Sequence, residues 1–308
     1  MNFFIGVTDQ AWFDSLSSLP SPDEVNFWQP SGKTKFGSLQ PGELFLFKLH
    51  SPNDYIAGGG FFAHSTLLPI SLAWEAFQEK NGATSLLKMK QRIAKYRSTE
   101  DIIEDFTIGC ILLEQPFFLD KSEWIPVIDW KPNIVKGKTV KLDSEQGKYY
   151  WSKLQLILSK RQLTHEPDLK TEEEKARYGK ETLVRPRLGQ GSFKILVTDA
   201  YNRACAITQE RVLPVLEAAH IKPYSLSGPH EVRNGVLLRS DMHKLFDIGY
   251  LTITPKLHIE ISRRIKDEFD NGEYYFTFHG KQINLPQRQF DQPSGEFLTW
   301  HNEKIFKG

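Results

Sequence analysis

The first half of the chain alternates short apolar runs with stretches whose apolar residues recur at helical spacing. Runs rich in β-branched and aromatic residues predict strands at Phe3–Val7, Glu43–Leu49, Tyr55–Ala63 and Thr107–Leu113. Helical periodicity predicts helices at Ser71–Lys80, Ser85–Tyr96 and Lys148–Leu163. This mixture predicts an α+β class, with a small β-barrel-like domain that carries helices at its periphery.

The second half contains a compact pattern of strand, loop, strand and helix. Val212–Ile221 is apolar and β-prone, Pro223–Gly228 has turn chemistry, and Val236–Leu238 predicts a short return strand. Ser240 is placed to cap a helix that Gly249 would end. The pattern predicts that His220 lies at the end of a strand and faces this helix.

Between the two halves lies a charged stretch without apolar periodicity. We expect residues 164–186 to be a linker, with a helical turn around Glu172–Tyr178. A chain of 308 residues exceeds the usual size of one core. The sequence therefore predicts one domain over residues 1–163 and a second over residues 187–308.

Composition narrows the class of protein. The 39 basic and 38 acidic residues nearly balance, so any contact with nucleic acid must use local clusters of charge. The two cysteines have no CxxC partner, which argues against a zinc knuckle or a disulfide scaffold. The sequence shows no pattern of a signal peptide, a membrane span or a phosphate-binding loop. We therefore expect a cytoplasmic protein that binds neither a membrane nor a nucleotide cofactor.

The chemistry is concentrated in the second half. Hydrolysis of a phosphodiester needs a base to deprotonate water, and the imidazole of His220 has a pKa suited to that task. His243 and Asp247 are four residues apart, so on a helix they project from one face and can bind one divalent ion. Asn234 lies in the loop before the return strand, where its amide can bond the backbone and orient the strands.

The ordered His220, Asn234 and His243, within the segments Ala218–Pro223 and Leu237–Gly249, resemble an HNH endonuclease. The resemblance covers roughly residues 186–308, including the lead-in Arg187–Phe193 and the tail Trp300–Glu303. It implies a ββα-metal fold in which the first histidine is the general base and the helix histidine is a metal ligand. The implied cofactor is a divalent ion, Mg²⁺ first and Mn²⁺ as an alternative.

The chain departs from the HNH pattern at Ala219, where many members carry a further ligand. Asp247 and Glu217 are the residues that can compensate, although a surface charge or a structural salt bridge would also explain them. Arg239 and Lys244 are candidates for contacts with DNA phosphates, or are simply solvated charges.

Aromatic residues crowd into the first 75 positions, and most of them must be core. The segment Asn26–Gly32 is different, because a Trp among polar amides before Pro and Gly suggests a loop that stacks on a nucleobase. Trp28 and Asn26, then Trp12 and Phe36, are the candidate base-binding residues.

Asn26-Phe27-Trp28, with Leu39–Lys48 and Ile56–Phe62, resembles an EVE domain of the PUA superfamily over about residues 1–160. The resemblance implies a reader of modified bases. A reader joined to an HNH nuclease resembles a modification-dependent restriction endonuclease that flips 5-methylcytosine, 5-hydroxymethylcytosine or a glucosylated cytosine out of double-stranded DNA. A duplex break needs two nicks, so we expect a homodimer.

Two alternatives remain at this point. In the first, the N-terminal domain recognises sequence or structure in unmodified DNA, which the nuclease then cuts. In the second, the nuclease has decayed and the protein only binds modified DNA, which Ala219 makes conceivable.

Overall fold

The computed structural model describes residues 2–97, 103–164 and 189–308. The chain divides into two compact units, Met1–Pro186 and Arg187–Gly308. Each unit combines strands and helices, which confirms the predicted α+β class. The predicted linker lies outside the described residues except for Thr164, and so does its helical turn. Across the part of the chain that is described, no helix combines the length and the apolar character that a membrane span needs.

The N-terminal unit is built on one mixed sheet. Its strands are β1 (Asn2–Thr8), β2 (Glu24–Gln29), β3 (Leu44–Leu49), β4 (Tyr55–Pro69), β5 (Thr107–Phe118), β6 (Ile125–Pro126) and β7 (Gly137–Lys141). Its helices are α1 (Gln10–Ser17), α2 (Ile70–Phe77), α3 (Leu86–Arg97) and α4 (Glu145–Thr164). The strand order is β2-β5-β4-β3-β1-β7, with β6 paired to β4, and only β1 and β3 run parallel among the pairs described.

The long strand β4 is the centre of this sheet, because it pairs with β3, β5 and β6. Glycine makes that crowding feasible. A Cβ at Gly58 would lie 2.3 Å from the carbonyl oxygen of Phe117, and one at Gly59 would lie 2.7 Å from that of Phe45. The Gly58-Gly59-Gly60 run therefore serves close approach of the backbone rather than phosphate binding.

The four predicted strands correspond to β1, β3, β4 and β5, and the three predicted helices to α2, α3 and α4. One expectation about the first unit was wrong. Asn26, Phe27 and Trp28 do not lie on a loop, because Glu24–Gln29 is strand β2 and pairs antiparallel with β5. Its residues are buried on both faces, so the strand lacks the apolar and polar alternation by which half-buried strands are recognised.

The C-terminal unit surrounds one hydrophobic core with short elements. Its strands are β8 (Leu216–His220), β9 (Gly235–Arg239), β10 (Leu251–Ile253) and β11 (Ile259–Ile261). Its helices are α5 (Gln190–Ala200), α6 (Ser240–Asp247), α7 (Arg264–Phe269), α8 (Glu273–Phe276) and α9 (Gly295–Lys304). The sequence patterns did not indicate α5, whose N-cap is Gly189.

The predicted strand, loop, strand and helix correspond to β8, β9 and α6. The two strands are antiparallel, with Ala219 opposite Val236 and His220 opposite Gly235. Ser240 is the first residue of α6 rather than its cap, since Arg239 holds the cap position without a side-chain hydrogen bond. Gly249 follows the helix with a φ of +81°, a conformation that favours glycine, and its N–H donates to the carbonyl of Phe246.

A buried histidine ties α9 to the ββα unit. The ring of His301 stacks on Phe246 with centroids 3.7 Å apart. Nε2 of His301 lies 3.1 Å from the carbonyl oxygen of Phe246, so it must donate, and Nδ1 is left to accept from the Thr252 hydroxyl at 2.8 Å. Both ring nitrogens are thus satisfied in the neutral imidazole, and burial lowers the pKa of His301 to about 4.

The C-terminal unit should therefore lose stability in mild acid. His301 has an ordinary pKa of 6.5 when unfolded and about 4 when folded, so the unfolded chain binds more protons between these values. We expect the contribution of His301, up to about 3 kcal/mol, to be complete above pH 6.5 and to be lost as the pH falls toward 4. The lowered pKa of His220 adds a dependence of the same sign.

Urea unfolding of the full chain between pH 7.5 and 4, followed by hydrogen exchange at Phe246 and its neighbours, measures this effect. His301→Gln keeps a donor and an acceptor but cannot be protonated, so its stability should fall less steeply with pH than that of the wild type. The exposed His258→Gln is the matched control and should follow the wild type. Equal slopes for His301→Gln and the wild type would contradict the assignment.

Candidate functional site

His220 is the last residue of β8, and two aromatic contacts, with Phe193 and His230, fix its surroundings. Its ring stacks on Phe193 of α5 with centroids 3.8 Å apart and planes 12° from parallel. Its Nε2 lies 3.0 Å from Nδ1 of His230, in the loop between β8 and β9. Nδ1 of His220 has no hydrogen-bond partner among the described residues, so this nitrogen is the one available to a water molecule or a substrate.

The environment of His220 keeps its imidazole neutral. Burial is the main cause that lowers its pKa to about 4, and the neighbouring His230 and His243 act in the same direction while Asp247 opposes them. At neutral pH the ring is therefore unprotonated and can accept a proton. The same environment makes the resulting imidazolium unfavourable.

Asn234 holds the loop that leads from β8 to β9. Its Oδ1 accepts from the backbone N–H of Lys222 at 2.9 Å, and its Nδ2 donates to the carbonyls of Lys222 and Pro229, also at 2.9 Å. The backbone carbonyl of Asn234 accepts from Ile221. The side chain is fully buried, so these bonds fix the backbone directly after His220 and directly before His230.

His243 lies on α6 between two carboxylates. Its Nδ1 is in contact with Oε2 of Glu217, and its Nε2 lies 3.3 Å from Oδ2 of Asp247. Both carboxylates are about half exposed, whereas the side chain of His243 is 22% exposed. Glu217 and Asp247 thus contact different nitrogens of the same imidazole ring.

The two carboxylates control the charge of His243. Burial disfavours the imidazolium, but hydrogen bonds to Asp247 and Glu217 and the negative charges of both residues outweigh burial and raise the pKa of His243. His220 and His243 therefore shift in opposite directions. A neutral His220 suits a base, and a negatively flanked His243 suits a position that attracts cations.

The donor set fits a divalent ion that takes few protein ligands. Two ligands bound at right angles, about 2.1 Å from one ion, are about 3.0 Å apart, which is close to the separation of His243 Nε2 and Asp247 Oδ2. Within residues 2–97, 103–164 and 189–308 no group of three or more His, Cys, Asp or Glu is arranged to hold a metal. Mg²⁺ commonly keeps several waters and substrate phosphate oxygens, so two protein ligands are compatible with it.

Glu217 contacts the other ring nitrogen of His243, Nδ1, so it lies on the opposite side of the ring from Asp247. A carboxylate in this position orients a ligating imidazole and fixes its tautomer. Ala219 contributes nothing to the site, since it is fully buried in the hydrophobic core.

Of the two residues considered for DNA phosphates, Arg239 is committed to another partner. It forms a bidentate ion pair with Asp241, with both N–O distances 2.7 Å, and its guanidinium lies over the ring of Tyr274. Lys244 is exposed on α6 and has no ion-pair partner among the described residues. Lys244 is therefore the better placed of the two for a phosphate.

The N-terminal unit contains a cavity of about 670 Å³. The residues that line it include the aromatic Trp12, Trp28 and Tyr96 and the polar Asp9 and Gln29. The Tyr96 hydroxyl donates to Oδ2 of Asp9 at 2.8 Å, and burial together with this bond raises the pKa of Tyr96 to about 12. Cationic side chains also line the cavity, namely Lys33, Arg97 and Lys136.

Two of the four residues predicted to hold a base do not line this cavity. Asn26 is fully buried, and its Nδ2 donates to Oδ1 of Asn81 at 2.8 Å. Phe36 packs against Phe4 and Phe62, with centroids 4.9 and 5.5 Å away. Both pack within the sheet domain, so this cavity does not support the prediction that they contact a base.

The structure also brings together residues that the sequence patterns did not indicate. His230 and Phe193 contact His220, and Asp9 and Tyr96 meet in the cavity although they are 87 positions apart. A Pro/Gly-flanked histidine ten residues after His220 was the only sequence signal for His230. No local pattern could have paired Asp9 with Tyr96.

Comparison with protein families matches residues 205–254 to the family described as HNH endonuclease. This confirms an HNH endonuclease domain in the C-terminal unit, and the match includes β8, β9 and α6. No curated protein matches the chain. Among solved structures, the ASCH protein from Zymomonas mobilis is similar with 10% identity and a TM-score of 0.33, covering 49% of this chain and 94% of that one. A point mutant of that protein is similar with 11% identity and a TM-score of 0.32, covering 49% and 96%.

The charge of His243 provides a test of the site geometry without any metal. Removing either flanking carboxylate should lower the pKa of His243, because each one stabilises the imidazolium. We expect this shift in both Glu217→Gln and Asp247→Asn, measured by NMR titration of the histidine ring protons in the full chain with EDTA present. Glu231→Gln removes an exposed carboxylate that pairs with Arg233 and should leave the His243 titration unchanged. An unshifted His243 in both site variants would contradict the contacts described.

Proposed function

We propose that the protein is a divalent-metal-dependent DNA endonuclease that cuts near modified cytosine. The observation that carries the nuclease part is the juxtaposition of His220 at the end of β8 with His243 and Asp247 on α6, within the segment that matches HNH endonucleases. The site pairs a neutral imidazole, which can accept a proton, with a carboxylate-flanked one, which can attract a cation, and hydrolysis of a phosphodiester uses both functions.

In this proposal His220 is the general base. Its unpartnered Nδ1 takes the proton from the attacking water, and the oxygen of that water attacks phosphorus as the bond to the leaving oxygen breaks. Asn234 positions the backbone on both sides of the loop and takes no part in proton transfer.

His243 and Asp247 would hold the metal ion, and Glu217 would orient His243 through Nδ1. When bound, a divalent ion neutralises charge on the phosphate and on the leaving oxygen. Mg²⁺ is our first choice for its hard oxygen ligands and Mn²⁺ the alternative, because an imidazole is part of the set.

The cavity of the N-terminal unit supports the reader part of the proposal. Tyr96 is half exposed and provides a ring on which a nucleobase can stack, beside the largely buried Trp12 and Trp28, and Lys33 and Lys136 suit the flanking phosphates. The Asp9 carboxylate only accepts hydrogen bonds, so it favours a base that presents an exocyclic amine, as cytosine does. A volume of about 670 Å³ leaves room for a substituted base.

We therefore propose a PUA-like reader of the EVE type joined to the nuclease. An HNH site contacts mainly the DNA backbone and discriminates little by itself, so the reader would direct cleavage to DNA that carries modified cytosine. A break in both strands requires two nicks, which is why we propose a homodimer.

Cleavage of matched duplexes tests both parts at once. The substrates carry unmodified cytosine, 5-methylcytosine, 5-hydroxymethylcytosine or glucosylated cytosine at the same positions, with Mg²⁺ or Mn²⁺ supplied. We expect cutting of at least one modified duplex and little cutting of the unmodified one. His220→Ala should reduce the rate by about 100-fold or more, because general base catalysis contributes factors of this order.

His258→Ala is the control for this experiment, since it removes an exposed histidine from the same unit. Equal cutting of all four duplexes would refute the reader and leave the nuclease intact. A wild type that is inactive with every metal but still binds modified DNA would instead favour a decayed nuclease. Activity that survives in His220→Ala would refute His220 as the general base, or reveal a contaminating enzyme if the purified wild type and variant cut at the same rate.

The Asp9 carboxylate gives a test of the reader that is independent of cleavage. Asp9→Asn keeps the side-chain size but replaces one acceptor oxygen by a donor, so it should weaken binding of the preferred modified duplex by about tenfold, the scale of one well-placed base contact. Asp14→Asn, within the helix α1 that Asp9 caps but outside the cavity lining, is the matched control. Competition binding in EDTA measures the effect, and equal affinities for the two variants would contradict the proposed role.

A further inference from the structure

His230 is the residue in the C-terminal unit whose position the proposed chemistry does not yet explain. It is not part of the ordered His220, Asn234 and His243, yet its ring faces that of His220 at a centroid distance of 5.0 Å. Its Nδ1 lies at hydrogen-bond distance, 3.0 Å, from Nε2 of His220. Two histidine rings in series therefore lie at the end of β8.

The contacts around His230 hold its ring in this place. Tyr224 stacks on its other side, with centroids 4.3 Å apart and planes 15° from parallel. The preceding residue, Pro229, accepts a hydrogen bond from the buried Asn234 side chain. The orientation of His230 is thus built into the loop by groups on both sides of it.

The hydrogen bond between the rings decides which nitrogen of His220 can act as a base. A neutral imidazole has one donor and one acceptor nitrogen. If Nε2 of His220 donates to Nδ1 of His230, the lone pair of His220 is on Nδ1, the nitrogen without a partner among the described residues. In the opposite arrangement the proton would occupy Nδ1 of His220, and that nitrogen could not accept one from water.

The different exposure of the two rings favours transfer of a proton from His220 to His230. His220 lies against Phe193, and burial disfavours a positive charge on it. The charged and titratable groups that act on His220 are His230 from the loop and His243 and Asp247 from α6. His230 is only partly buried, and the Tyr224 ring that covers it is 62% exposed, so a proton on His230 has a short path to solvent.

We propose that His230 positions the tautomer of His220 and relays the proton that His220 takes from water to the solvent. The inference rests on the proposed nuclease function and deepens it. The O–H bond of the water breaks as an N–H bond forms at Nδ1 of His220. The N–H bond at Nε2 of His220 breaks as one forms at Nδ1 of His230, and His230 then releases its Nε2 proton to solvent.

Two substitutions separate positioning from relay. His230→Asn places a side-chain oxygen that accepts from Nε2 of His220 and so preserves the tautomer, but the amide cannot pass a proton on. His230→Ala removes both functions and leaves a space open to solvent. Tyr224→Phe keeps the stacking ring and serves as the control for changes in the loop.

The experiment measures kcat and KM of the full chain on the modified duplex that it cuts best, with the metal that supports the highest rate. We expect kcat to fall about 10- to 100-fold in both His230 variants with KM for DNA within twofold of the wild type, which is the scale of a proton-transfer contribution. Added imidazole should restore kcat of His230→Ala in proportion to its concentration. Tyr224→Phe should keep the rate of the wild type.

Full activity of His230→Asn would overturn the relay, as would a slow His230→Ala that imidazole does not restore. Nitrogen-15 NMR of the histidine rings without metal tests the positioning alone. We expect the Nε2–H tautomer of His220 in the wild type and in His230→Asn, and a mixture of tautomers in His230→Ala. An unchanged tautomer in His230→Ala overturns the positioning.

The proposed function and the relay fail differently. A wild type that cuts no duplex with any metal refutes the nuclease function and the relay with it, whatever the NMR result. A wild type whose cutting depends on His220 but not on His230 refutes the relay only.

Discussion

The side chain of Asn234 is the constraint on which the rest of the nuclease site depends. The ribbon of β8 and β9 pairs only five residues on each strand, and a two-stranded ribbon of this size is marginal by itself. Asn234 closes its open end with three hydrogen bonds, all to backbone groups of the connecting loop. Because the amide is fully buried, each bond that is lost would leave a buried polar group unpaired. The position of His220 at the ribbon end and that of His230 in the loop both follow from this one residue.

Given that geometry, the different surroundings of two histidines divide the chemistry between them. His220 lies against an aromatic ring and beside a second imidazole, which lowers its pKa to about 4. His243 lies between Glu217 and Asp247, which raises its pKa. Groups of the same type thus acquire opposite preferences for a proton through burial on one side and negative charge on the other. A residue with two flanking carboxylates attracts a cation, and a buried neutral imidazole accepts a proton.

The sequence predicted the parts of this arrangement that depend on local spacing. The strand, loop, strand and helix around His220 and the i, i+4 relation of His243 and Asp247 are local, and the structure reproduces them. Contacts between distant positions could not be predicted in this way, as Asp9 with Tyr96 illustrates. Strand β2 was missed for a different reason, since both of its faces are buried and its apolar and polar positions do not alternate. Asn26 was misassigned with it, because a polar residue in a sequence does not reveal that its amide pairs with Asn81 in a core.

The charge balance of the chain limits how the proposed reader and nuclease can achieve selectivity. With 39 basic and 38 acidic residues, the protein has no strong overall attraction for DNA. Affinity must then come from local groups, such as Lys33 and Lys136 beside the cavity and Lys244 on α6. Weak nonspecific binding favours discrimination between modified and unmodified DNA. Extruding a base costs a few kcal/mol, and only the contacts of the cavity with a suitable base offset that free energy. A strongly basic surface would bind every duplex and weaken that dependence. The near-zero net charge is therefore compatible with a nuclease whose cutting is governed by a base-binding cavity rather than by its attraction for the phosphate backbone.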